Sequence, residues 1–70
     1  MAIIADRIKE IRLENKLSQA KFGEKLLVSQ DTVSLWEKNK ALPNTEYIIL
    51  ICQIFEVSAD YLLGLIDWFY

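Results

Sequence analysis

Residues 17–37 read Leu17-Ser18-Gln19-Ala20-Lys21-Phe22-Gly23-Glu24-Lys25-Leu26-Leu27-Val28-Ser29-Gln30-Asp31-Thr32-Val33-Ser34-Leu35-Trp36-Glu37. Ser18 offers a side-chain oxygen to cap a helix, and Phe22 and Leu26, four residues apart, give that helix an apolar inner face. Ser29 is the next cap, and Val33 and Trp36 at i, i+3 supply the apolar face of a second helix. Leu26 to Val28 is all that connects the two, and a turn that short makes helices cross steeply. Gly23 costs about 1 kcal/mol against alanine inside a helix. It is expected where another helix crosses so closely that no side chain fits.

The flanks extend the same pattern. Upstream, Ile4, Ile8 and Ile11 fall at i, i+4, i+7 between charged residues, which predicts an amphipathic helix ending near Asn15. Downstream, Asn39 tolerates the left-handed conformation that ends a helix. Pro43 and Asn44 start a further helix running through Phe55. Ser58 caps a short last one, with Asp60 favourably placed in its first turn and Gly64 at its end. The chain is therefore expected to be all-α, a single domain over 1–70 with its central two-helix unit at about 18–38. The aromatic tail, 65–70, receives no assignment.

Seventy residues with 53% hydrophobic content, two glycines and one proline suit one small helical core. Cys52 is the only cysteine, so no internal disulfide can form. Asp6, Arg7, Lys9 and Glu10 break up any signal-like N-terminal segment, and the apolar run Tyr47 to Cys52 is far too short for a bilayer. A cytoplasmic, non-membrane protein is expected. There is no histidine, no phosphate-binding glycine loop and no metal-ligand cluster, which argues against an enzyme, a cofactor or a metal. Nothing points to a small-molecule ligand either.

The net charge of −2 is unevenly spread. Residues 16–40 hold lysines 16, 21, 25, 38 and 40 against Glu24, Asp31 and Glu37. Residues 41–70 hold Glu46, Glu56, Asp60 and Asp67 with no cation. A polyanionic partner responds to the local potential of the middle third more than to the total.

The run Leu17-Ser18-Gln19-Ala20, then Phe22-Gly23, Leu26, Val28-Ser29-Gln30, Val33 and Trp36-Glu37 resembles the lambda-repressor-like (Cro/repressor, XRE-type) helix-turn-helix family. Leu42-Pro43-Asn44 and Val57-Ser58-Ala59-Asp60-Tyr61-Leu62-Leu63 resemble that family's fourth and fifth helices. The likeness spans about residues 5 to 64. It implies a five-helix DNA-binding domain whose third helix enters the major groove. It departs from the family at Leu27 and Glu56, where glycine is usual. Either those turns take another geometry or the domain carries the strain of a non-glycine residue in the left-handed region.

On this resemblance the base-reading residues are Gln30, Asp31, Ser34 and Leu35. Gln30 suits adenine N6 and N7, Asp31 suits cytosine N4, and Leu35 suits a thymine methyl. Gln19, Ser29, Lys38 and Lys40 would hold phosphates and so fix the protein's position without reading sequence. Arg12 and Glu37 match a pair that ties the first helix to the end of the third. Without the resemblance, the same side chains are an ordinary solvated helix face.

The implied function is a sequence-specific double-stranded DNA-binding transcriptional regulator, expected to repress. The alternative is a protein-interaction module on the same fold that binds another regulator and not DNA. A homodimer on a pseudo-palindromic operator is expected, joined through the C-terminal half. Tyr47, Leu50 and Ile54 at i, i+3, i+7 would form an outward apolar stripe on the fourth helix, extended by Trp68 and Tyr70 of the tail.

Overall fold

The computed structural model describes residues 3–67, which form five helices: α1 (Ile3–Glu14), α2 (Gln19–Leu26), α3 (Gln30–Glu37), α4 (Thr45–Phe55) and α5 (Ala59–Leu62). No strand occurs among the described residues, and no helix there is long and apolar enough to cross a membrane. Trp68 and Tyr70, expected at a dimer interface, lie outside the described residues.

Four of the helices start on the same device. The side chains of Ser18, Ser29, Asn44 and Ser58 each accept the backbone N–H three residues on. Each cap satisfies one donor that the helix itself cannot. Helix ends follow the complementary rule. Lys16, Leu27, Asn39 and Glu56 all take positive φ, and Gly64 does so after α5. Asn39 and Gly64 were expected there on residue type; Lys16 was not.

The two alternatives at Leu27 and Glu56 are thereby decided. Leu27 sits at φ 60°, ψ 38° and Glu56 at φ 56°, ψ 46°, both left-handed. The turns keep the glycine geometry and the chain carries the strain.

Gly23 needs its bareness for a different reason from the one expected. A Cβ there would stand 2.6 Å from the Val28 carbonyl oxygen and 3.3 Å from that of Ser29. The close neighbour is the turn between α2 and α3, not a crossing helix.

The core joins Ile8 and Ile11 of α1, Phe22 and Leu26 of α2, Val33 and Trp36 of α3, Ile51 of α4, and Tyr61 and Leu62 of α5. Phe22 and Phe55 stack with ring centroids 4.9 Å apart, and Trp36 meets Tyr47 at 5.5 Å. These two ring pairs set the rotation of α4. They turn Tyr47 inward, so the expected outward stripe of Tyr47, Leu50 and Ile54 is a flank of the helix. Tyr47 and Leu50 are half-buried against the core. Ile54 is 38% exposed, and Ile49, at 51%, points out more fully.

Candidate nucleic-acid interface

α3 is held by Val33, Trp36 and its Ser29 cap, and opens its other side to solvent. Gln30, Asp31, Leu35 and Lys38 are exposed on that side, with Ser34 half-buried beside them. All five candidates on α3 and its C-cap therefore share one accessible face, as 3.6-residue spacing requires. Asp31 lies in the first turn, where the helix dipole stabilises its charge. Lys38 is the C-cap residue. Lys40 and Ala41 donate their N–H groups to the Leu35 carbonyl, which folds the following loop back over the end of α3 and brings exposed Lys40 close to it.

Ser29 is occupied by its own helix. Its Oγ accepts the Thr32 N–H at 3.2 Å and lies 3.0 Å from the Thr32 hydroxyl. With Thr32 as the hydroxyl donor, Ser29 keeps its own proton for an outside acceptor. Thr32 is thus tied to Ser29 by two hydrogen bonds, a link the sequence pattern did not single out.

Gln19 opens α2 and is half-buried. Its Nε2 donates to Glu37 Oε1 at 3.2 Å. Glu37 also takes a two-pronged grip from Arg12: Nε to Oε2 at 2.7 Å and Nη2 to Oε1 at 3.0 Å. Arg12 Nη1 donates to the Leu17 carbonyl at 3.0 Å, just ahead of α2. The Arg12 and Glu37 side chains are only 12% and 5% exposed. The Glu37 hydrogen bond outweighs burial and raises the Arg12 pKa, so the guanidinium stays charged. One ion pair thereby fixes the exit of α1, the entry of α2 and the end of α3. Fork-to-carboxylate geometry of this kind constrains orientation as well as adding energy. The resemblance pointed to the Arg12–Glu37 pair; the link from Glu37 to Gln19 was missed.

Lys21 and Lys25 lie on another side of α2, beside Leu17 and Glu24, and Lys21 pairs with Glu24 at 3.6 Å. The acidic residues of 41–67 stay apart from this basic region in sequence. Among the described residues, the ion pair found for them joins Asp67 to Arg7 at 3.6 Å. No group of three or more metal-ligating side chains is assembled among the described residues.

Comparison with known proteins agrees with this geometry. A helix-turn-helix family profile matches residues 8–62. The HTH-type transcriptional activator BcrR of Enterococcus faecalis is 34% identical over 59 residues, covering 84% of this chain and 29% of that protein. Repressor protein C2 of Salmonella phage P22 is 33% identical over 61 residues, 87% of this chain and 28% of that one. The crystal structure of the P22 c2 repressor in complex with a synthetic operator superposes with a TM-score of 0.79 at 32% identity, covering 86% of this chain and 91% of that chain. The chain spans well under two thirds of the length of either curated relative.

Proposed function

Because the chain belongs to the lambda-repressor-like helix-turn-helix family, whose members are DNA-binding regulators and not enzymes, we propose that it is a sequence-specific double-stranded DNA-binding transcriptional regulator. α3 is its reading helix. Gln30, Asp31, Ser34 and Leu35 face the base edges, while Gln19, Ser29, Lys38 and Lys40 hold the phosphates on either side of the groove. The observation that carries this reading is the open face of α3, with carboxamide, carboxylate, hydroxyl, apolar and cationic groups side by side on a helix braced by Val33 and Trp36.

The regulator acts in the cytoplasm as a homodimer on a pseudo-palindromic operator. Two-fold pairing would set the two reading helices about 34 Å apart, one turn of DNA. What supports the dimer is the apolar side of α4, where Ile49 and Ile54 are exposed beside half-buried Leu50. The curated relatives include both an activator and a repressor, and repression is the sign we propose for this chain.

Selection of bound duplexes from a random pool tests the proposal. An enriched motif with two-fold symmetry is the expected result. Failure to enrich any sequence, together with binding that is indifferent to salt, would overturn it, since phosphate contacts give a steep negative dependence on salt.

A further inference from the structure

Glu37 is an acid placed beside a surface that should welcome phosphates, and simple electrostatics makes it a liability there. Its surroundings say otherwise. Arg12 neutralises it through two hydrogen bonds and holds its carboxylate still. Oε1, fixed in this way, accepts the Gln19 carboxamide at 3.2 Å. A carboxylate can only accept, so the nitrogen end of the Gln19 carboxamide must face it. A carboxamide free to flip would show a phosphate its carbonyl as readily as its N–H, and the carbonyl repels an anion.

We propose that Glu37 is a positioning residue for DNA binding: it fixes the flip of the Gln19 carboxamide so that the remaining Nε2–H is presented to a phosphate. The inference rests on the DNA-binding reading above and deepens it. Glu37 is also the last residue of α3. The phosphate clamp at the head of α2 and the reading helix are therefore set by one carboxylate, and neither can shift without the other.

Charge alone and positioning predict opposite signs. If Glu37 acted only through its charge, Glu37→Gln would tighten DNA binding. As a positioning group, its replacement by an amide must turn an N–H toward either Arg12 Nε or Gln19 Nε2, which breaks the two-pronged grip that holds the acceptor still or releases Gln19 outright, and in either case loosens the carboxamide and weakens binding. The test uses the whole chain with the selected duplex and a scrambled one, titrated by fluorescence anisotropy at several salt concentrations. The variants are Gln19→Ala, Glu37→Gln and both together. All are made on a Glu56→Gly background to add stability, and folding is checked by circular dichroism.

Each single variant should lose about tenfold in affinity for both duplexes, the worth of one charge-assisted hydrogen bond. The double variant should lose no more than either single one, because both remove the same contact. The salt slope should stay unchanged, since a neutral side chain releases no counterion. In the DNA-free protein, Glu37→Gln should shift the side-chain amide resonances of Gln19. Unmoved resonances, tighter binding by Glu37→Gln, or losses that multiply in the double variant would each overturn the positioning role alone. A parent that binds no duplex overturns the DNA-binding reading, and this inference with it.

Discussion

Gly23 and Val28 meet twice: the Val28 N–H donates to the Gly23 carbonyl at 2.9 Å, and the Val28 carbonyl stands 2.6 Å from where a Gly23 side chain would begin. The first contact closes α2 and the second leaves no room for a methyl group. Two effects oppose each other in Gly23→Ala. Alanine gains about 1 kcal/mol of helix propensity. Overpacking costs about 1–3 kcal/mol, and the obstacle here is main chain, which cannot swing aside. With main chain in the way the cost falls at the upper end, so the clash should win, with a net loss of up to about 2 kcal/mol in urea unfolding. A Gly23→Ala chain as stable as the parent would show that the turn has slack.

The opposite outcome is expected at Leu27 and Glu56. Both hold left-handed backbone with side chains that disfavour it, at about 1 kcal/mol or more each. Leu27 is 91% exposed, so its side chain contributes almost no burial that glycine would forfeit. Leu27→Gly and Glu56→Gly should each stabilise the fold by about 1 kcal/mol. They lie in separate turns and share no partner, so the gains should add. Thermal melts of the two single variants and the double one provide the measurement.

Gln30 and Lys38 sit on the same exposed face but should fail differently. On the proposed docking Gln30→Ala removes a bidentate base contact, so it should cost about 1–3 kcal/mol on the selected operator and relax preference at one base pair. Lys38→Ala, on the same docking, removes a phosphate contact. It should weaken all duplexes alike and lower the magnitude of the salt slope by about one. If neither substitution alters specific or non-specific affinity, the DNA lies on another face.

Burial raises the Tyr61 phenol above its ordinary value of 10.0, and the hydrogen bond it donates to Glu10 adds to the shift. Burial likewise raises the Cys52 thiol above 9.0. Both groups keep a proton in the folded chain at a pH where the unfolded chain has released it. Their stabilisation is therefore complete below the unfolded values and lost as the pH rises through the folded ones. Unfolding free energy should fall as the pH rises past the ordinary thiol and phenol values of 9.0 and 10.0, and Tyr61→Phe should make that fall shallower. An unchanged alkaline limb in Tyr61→Phe would assign the loss elsewhere.

The parts of this fold legible in the sequence are those decided within a few residues. Ser18, Ser29, Asn44 and Ser58 cap the neighbouring N–H groups, so residue type and spacing sufficed to place four helix starts. The open face of α3 follows from Val33 and Trp36 in the same way. What escaped depends on contacts between distant segments. Leu27 and Glu56 look unsuited to left-handed turns, and only the packed helices on either side hold them there. The rotation of α4 is set by Trp36 on Tyr47 and Phe22 on Phe55, so the outward stripe lay one helix flank away from its expected place. The Gln19–Glu37 bond spans eighteen residues and has no local signature.

That rotation bears on how two copies would meet. Ile49 points outward, and Leu50 lines a shallow groove with Asn44, Glu46, Tyr47 and Gln53. Pairing of two such faces would bury Ile49 and Leu50 and carry the acidic C-terminal half away from the DNA. The same half has no cation between residues 41 and 67, so like charges of the two copies oppose the pairing. Salt screens that repulsion. Self-association should therefore strengthen with salt while DNA binding weakens with it, a pair of opposite slopes that few other arrangements would give. Leu50→Lys, and separately Ile49→Lys, should leave a folded monomer. Analytical ultracentrifugation of the parent and both variants, at low and high salt, decides the matter: a parent that stays monomeric at micromolar concentration both free and on its operator defeats the dimer.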